Sequence, residues 1–209
     1  MNNTTSAASN ESTCSWCLST PLYRQYHDEE WGRPCLQGES LFELLNLEGA
    51  QAGLSWITIL NKREHYRRVF HDFKPHKVAR MSDAQLEKLV LDPGIVRHRG
   101  KIAAVRSNAQ AYLAMEKNGE NFAEFIWSFV DYQPVQNRPN ALSAVPAKTE
   151  VSDEMCKSLK KQGFKFVGST ICYAFMQAAG LVNDHVIDCP KHKTCQALGK
   201  RVAIRPTVS

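Results

Sequence analysis

Glu48-Gly-Ala-Gln-Ala-Gly-Leu-Ser-Trp56 lies between two apolar runs, 41–47 and 57–60, and its reading decides the fold. Continued as one helix, it would set Glu48, Gln51, Ala52, Ser55 and Trp56 near one face. A buried carboxylate without a partner either costs several kcal/mol or takes up a proton. Gly49 and Gly53 each weaken a helix by roughly 1 kcal/mol relative to alanine. The expectation is therefore that one helix ends near Gly49 and another begins near Ser55. The elbow between them offers a carboxylate and an indole to something flat and polar. A plain helical corner with Glu48 in solvent is the competing arrangement.

Outward from this elbow the 3.6-residue period dominates. Helices are predicted over 40–47, 55–70, 75–80, 83–91, 98–118, 121–129, 152–162 and 169–179. Ser82 with Gln85 has capping-box spacing, Ser152 is a candidate N-cap, and Gly119, Gly163 and Gly180 stand where left-handed caps close helices. No segment alternates cleanly at period two. The stretch 131–147, rich in Pro, Asn and Gln, reads as a long surface connection between two helical groups. The fold class is all-α, in two helical lobes.

The chain of 209 residues has ample length for a core and no apolar run approaching a membrane span. Residues 1–13 read as a disordered leader without signal-peptide character, 14–189 as the helical domain and 190–209 as a basic tail. Seven cysteines scattered through a core-forming chain favour thiols or metal ligands over disulfides, hence a reducing, cytoplasmic setting. The net charge of +5 is gathered in clusters: Arg97, Arg99, Lys101 and Arg106; Lys157, Lys160, Lys161 and Lys165; and Lys191, Lys193, Lys200, Arg201 and Arg205. Such clustering is the footprint of a polyanion partner.

Two segments, 91–102 and 161–171, place an apolar-glycine turn between helices. In the second, Gly163 ends one helix, Gly168 turns the chain, and Ser169 and Thr170 supply free amides at the next helix's positive end, flanked by Lys161 and Lys165. That is the layout of a helix-hairpin-helix, which grips a phosphate backbone without reading sequence; an ordinary helical corner is the alternative. Cys14 and His27 near one end, with His185-x3-Cys189 near the other, supply the donors of a closed tetrahedral zinc site stapling the termini. Cys17, in Cys14-x2-Cys17, and His192 or Cys195 are rival ligands.

Together the stretches 21–32, 47–56, 94–102, 163–173 and 180–185 closely resemble the bacterial 3-methyladenine DNA glycosylase I family, over about 14–189. The resemblance implies a helix-hairpin-helix fold and a structural zinc on Cys14, His27, His185 and Cys189, leaving Cys17 as an additional thiol. It implies a base pocket of Trp16, Tyr23, Tyr26 and Trp56, with Glu48 accepting hydrogen bonds from the base edge and supplying a counter-charge. Methylation at N3 makes adenine cationic and a good leaving group. Retention by electron-rich rings, of order 0.5–2 kcal/mol each, can then replace a strong general acid.

The implied partner is alkylated double-stranded DNA, the implied product free 3-methyladenine, and the implied state a monomer. Extruding a base from the duplex leaves a gap to be braced. Gln51 and Leu54 at the Gly53 tip are the expected wedge, and Arg97, Arg99 and Lys101 the expected phosphate contacts. Asp184 sits where the wider superfamily places an aspartate that stabilises the sugar cation. The family lacks that role, so Asp184 is expected to orient His185 instead.

Overall fold

The computed structural model describes residues 13–205. Residues 1–12 of the expected leader, and 206–209, lie outside that range. The described chain is built from α1 (Pro21–Glu29), α2 (Gly38–Gln51), α3 (Trp56–Val69), α4 (Pro75–Val78), α5 (Asp83–Val90), α6 (Arg99–Lys117), α7 (Phe122–Ser128), α8 (Glu150–Lys161), α9 (Ser169–Ala178) and α10 (Pro190–Gly199). A short 3-10 turn, Ser15–Ser19, precedes α1. Two two-residue strands, β1 (Val135–Gln136) and β2 (Val182–Asn183), pair in parallel. No described helix is long and apolar enough to cross a membrane.

The local signals explain most of these boundaries. Ser82 and Gln85 form the expected capping box at α5. At α8 the cap is Thr149 rather than Ser152, which is the third residue of that box and closes it from the other side. Gly119, Gly163 and Gly180 follow α6, α8 and α9 with positive φ, as the spacing predicts.

The elbow is real but begins later than expected. Helix α2 runs through Gly49 to Gln51, and the chain breaks at Ala52 and at Gly53, whose φ is +79°. Gly49 has another role: a Cβ there would come within 3.1 Å of the Phe166 carbonyl oxygen. Its bareness lets the α8–α9 loop lie against α2, which outweighs the propensity cost of a mid-helix glycine.

Two helices carry no clear apolar period and escape sequence reading. Helix α1 is started by Thr20, whose hydroxyl accepts from the Tyr23 amide, with Pro21 at the first helical position. Helix α10 occupies the first half of the expected basic tail. It buries His192, Cys195 and Gly199, and Val202 and Ile204 beyond it pack on the core. The described part of the tail, 190–205, thus belongs to the folded body.

One continuous core holds residues from α1 through α9, among them Phe42, Phe70, Phe122, Trp127, Met155 and Phe175. Within it the Asn108 amide donates to Asn46 Oδ1 (2.9 Å) and to the Lys165 carbonyl (3.2 Å), and its oxygen accepts from the Lys165 amide (2.8 Å). This buried pair clamps the α8–α9 loop to α2 and α6, and with it the start of α9. The β1–β2 pair likewise anchors the 131–147 connection beside the strand leading to Asp184 and His185. That connection is no mere surface loop: Val145 packs on the main core, and Leu142 on a small second core around Cys14, Val186 and Cys189.

Candidate active site and metal centre

The last turn of α2, the start of α3, α1 and the Ser15–Ser19 turn converge on a cavity of about 360 Å³. Trp16, Tyr23, Tyr26, Glu48, Gln51 and Trp56 all line it, so the structure brings the expected base-pocket residues together with one expected wedge residue. The rings interlock. Trp16 lies 4.8 Å from Tyr23 and 6.4 Å from Tyr26 between centroids, and Tyr26 lies 5.4 Å from Trp56. Sequence reasoning missed Trp31, 5.1 Å from Trp16, as well as Tyr173, Gln177 and the apolar wall of Val145, Pro146 and Ala147. Trp31 stands inside a quoted motif and was readable as a further aromatic; the wall comes from a connection whose course only the tertiary fold sets.

Glu48 is buried, at 4 % exposure. Desolvation pushes its carboxyl up to about 8, which favours the neutral acid near neutral pH, whereas a cation beside it would favour the carboxylate. Burial, and then the Glu48 charge, also raise the phenols of Tyr23 and Tyr26. Glu48 Oε2 and Trp56 Nε1 are both buried without a hydrogen-bond partner among the described residues. Buried polar atoms are rarely left unpaired. An acceptor or acid on one wall and an indole N–H on another suit a flat ligand with polar edges and a π face.

Asp184 also faces this cavity, but its lone pairs are engaged. Oδ1 accepts from Asn137 Nδ2 (2.7 Å), and Oδ2 accepts from the Tyr173 hydroxyl (2.7 Å) and Gln177 Nε2 (2.8 Å). The expected bond to His185 is not among them. The carboxylate ties β2 to α9 and to the 131–147 connection, which is a structural role by a different route.

Cys14, His27, His185 and Cys189 form a buried cluster whose donor atoms all lie within 4.8 Å of one another. His27 Nε2 is 3.1 Å from His185 Nδ1 and 3.6 Å from Cys189 Sγ; Cys14 Sγ is 3.6 Å from His185 Nδ1. Metal–ligand lengths of about 2.0–2.3 Å imply tetrahedral edges of roughly 3.3–3.8 Å, so the quartet is sized for one ion. The rival ligands are committed elsewhere. The Cys17 thiol donates to the Cys14 carbonyl (3.0 Å), His192 Nε2 meets the Asn137 carbonyl (2.8 Å), and Cys195 lies near the Trp31 carbonyl. The second nitrogens of the ligand histidines are also held, His27 Nδ1 by Asp28 (2.8 Å) and His185 Nε2 by the Trp31 carbonyl (3.2 Å), as metal-binding imidazoles require. Between the two thiols, a hydrogen bond to Cys189 and burial hold Cys14 protonated, while the same bond stabilises the Cys189 thiolate. A dication at the centre favours both thiolates. The cluster joins the N-terminal and C-terminal segments.

The expected DNA contacts form one neighbourhood around the elbow. Phe166, in the α8–α9 loop, lies against Gly49 and, at 5.8 Å between ring centroids, edge-on to His98 at the start of α6. Arg97, Arg99, Lys165 and Thr170 are exposed, as is Leu54 at the elbow tip, and Gly168 precedes the first turn of α9. Arg99 also pairs with Glu87, and the Ser169 hydroxyl bonds Asp153, whose carboxyl is lowered by that bond and by Lys148. Thr170 additionally lines the pocket. Lys101 departs from expectation. Its ammonium donates to the carbonyls of Ala50 (2.9 Å) and Ala52 (2.5 Å), so it faces the protein rather than solvent.

An all-helical body with a buried acid in an aromatic pocket, beside a helical hairpin and a Cys2His2 staple, defines a protein built to enclose a planar base. The model of the methyladenine glycosylase family matches residues 16–192, and the chain belongs to that family. It is 58% identical over 176 residues to DNA-3-methyladenine glycosylase 1 of Escherichia coli, covering 84% of this chain and 94% of that protein. A crystal structure of 3-methyladenine DNA glycosylase I superposes with a TM-score of 0.84 at 56% identity, covering 86% of this chain and 98% of that one. A tyrosine-to-phenylalanine variant of such an enzyme, in complex with 3-methyladenine, superposes at 0.83 with 39% identity, covering 86% and 96%.

Proposed function

We propose that this protein is a DNA-3-methyladenine glycosylase I that extrudes N3-methyladenine from alkylated duplex DNA and hydrolyses its N-glycosidic bond. The observation that carries the reading is the orphaned Glu48 carboxyl inside a cage of Trp16, Tyr23, Tyr26 and Trp56. A module that merely bound distorted DNA would have no use for a desolvated acid in a base-sized cavity. The activity for which the Escherichia coli relative is named and the bound 3-methyladenine of another relative point the same way.

The lesion arrives carrying a positive charge on the base. As the glycosidic bond breaks, its electron pair passes to the purine, which leaves neutral, and the charge moves to the sugar, where water adds. The protein's share is to retain the extruded base, orient it and exclude bases that fit poorly. Glu48 faces the charged purine as acceptor and counter-charge, the rings supply cation–π contact, and the Trp56 indole donates at the base edge. Unmethylated adenine lacks the charge. Gln51 and Leu54 brace the vacated stack around Gly53. Arg97, Arg99, Lys165 and the first amides of α9 at Gly168, Ser169 and Thr170 hold phosphates. The Cys2His2 quartet is read as a structural zinc site: two thiolates and two imidazoles suit that ion and leave no open position for catalysis.

The test is to incubate the protein with methylated duplex DNA and chromatograph the free bases. Release of 3-methyladenine, leaving abasic sites, supports the reading. Tight binding without release overturns it.

A further inference from the structure

Lys101 is singled out by its charge and by where that charge goes. It lies in the first turn of α6, its amide capped by His98 Nδ1 (3.1 Å), and its half-buried ammonium is spent on two backbone carbonyls of the elbow. The Ala50 carbonyl belongs to the last turn of α2 and that of Ala52 to its C-cap, where carbonyls have no helical partner and sit at the negative end of the dipole. Ala50 is two residues beyond Glu48, and Ala52 is one residue before Gly53.

Little else tethers this segment. Gly53, Leu54 and Ser55 are exposed, and the space a Cβ would enter at Gly53 is open for 4 Å. The local bonds are a turn from the Leu54 amide to the Gln51 carbonyl (2.6 Å) and a hydroxyl pair between Ser55 and Thr58 (2.8 Å). Neither reaches beyond α2 and α3, the two helices the elbow joins. Lys101 does, joining the elbow to the helix that also presents Arg99.

We propose that Lys101 is a positioning residue that fixes the elbow carrying Gln51 and Leu54 relative to Glu48, so that the gap in the duplex is braced while the extruded base stands in the pocket. The inference rests on the excision reading above. Lys101 acts through the Ala50 and Ala52 carbonyls and touches neither base nor phosphate. Burial lowers its ammonium below the ordinary lysine range, in keeping with a charge turned inward.

The experiment compares wild type, Lys101→Met and Lys101→Arg, with folding checked by thermal unfolding. For Lys101→Met, excision from methylated duplex DNA is expected to fall roughly ten- to a hundredfold, the scale of losing charge-assisted hydrogen bonds. Affinity for free 3-methyladenine should stay within about twofold, because the pocket walls are unchanged. The salt dependence of duplex binding should keep its slope, whereas a phosphate contact would remove about 0.9 from it. Lys101→Arg, which can still donate to both carbonyls, should recover most of the turnover. Wild-type excision by Lys101→Met, a slope lowered by about 0.9, a matching loss of free-base affinity, or an arginine variant as slow as the methionine one would each overturn the proposal. If the wild-type protein itself releases no base, it is the excision reading that fails.

Discussion

Tyr26 and His27 are consecutive residues of α1 whose side chains part company. The phenol ring lies 5.4 Å from Trp56 in the pocket, and the imidazole Nε2 lies 3.6 Å from Cys189 Sγ in the metal cluster. The two sites therefore share a wall. Trp31 strengthens the join: it lines the pocket, packs edge-on to His185 at 4.6 Å, and lends His185 its carbonyl.

Stripping the metal should consequently affect the pocket as well as the fold. Metal analysis is expected to find one zinc per chain. A strong chelator, or Cys14→Ser, should lower the melting temperature and weaken 3-methyladenine binding in step, since Trp16 and Trp31 lose their backing. A chelated protein that melts early yet binds the base as well as before, under conditions where it is folded, would show the two sites to be independent.

Glu48 gives the protein a pH signature. Its folded-state value of about 8 lies above the ordinary 4.5. Below about 4.5 folded and unfolded states are both protonated, and the group has no effect on stability. Between about 4.5 and about 8 the unfolded chain ionises while the folded one keeps its proton, so stability falls as pH rises, and it levels off above 8. Glu48→Gln removes that dependence. Its melting temperature should exceed that of wild type by more at pH 8 than at pH 5, the difference reflecting a few kcal/mol. Equal gains at both values would mean that Glu48 is not desolvated.

Asp184→Asn separates a structural carboxylate from a chemical one. The amide keeps one oxygen and sets its N–H₂ either against the Asn137 donor or against the Tyr173 and Gln177 donors. Calorimetry should register a loss of about 2–4 kcal/mol. The fraction that folds should excise the base at close to the wild-type rate. A stable variant with collapsed turnover would give Asp184 a direct part in the reaction.

Gly49→Val tests the seating of the hairpin. A branched side chain 3.1 Å or less from the Phe166 carbonyl must push the α8–α9 loop away or strain α2. Overpacking of this kind typically costs about 1–3 kcal/mol. Duplex affinity should fall more than affinity for the free base, measured side by side. Equal losses would detach the loop from DNA binding.

The parts of this molecule legible in its sequence are those written locally. The capping box at Ser82, the glycines ending α6, α8 and α9, and the periodic faces of α3 and α6 need no tertiary context. The elbow was visible because two glycines interrupt apolar runs, but its position was not: whether Gly49 ends a helix or admits a neighbour depends on Phe166, over a hundred residues away. Helix α1 was hidden because its buried face is made of Tyr26 and His27, whose burial depends on the pocket and the metal cluster rather than on a hydrophobic stripe. Helix α10 was masked by its lysines. At the site, spacing paired His185 with Cys189 and set them with Cys14 and His27, and the resemblance preferred those two over Cys17. The inward bonds of Lys101 were not legible because charge in a sequence does not show which way an ammonium turns.

The account rests on Glu48 and the surrounding rings forming one cage for a methylated purine. The most direct measurement is calorimetric titration of the fixed cation 3,9-dimethyladeninium, which carries the charge of the lesion, and of neutral 9-methyladenine into wild-type and Glu48→Gln protein, both confirmed folded. The account expects wild type to bind the cationic purine at least about tenfold more tightly than the neutral one, and Glu48→Gln to lose most of that preference. Equal binding of the two purines by wild type, or an unaltered preference without the carboxylate, would contradict it.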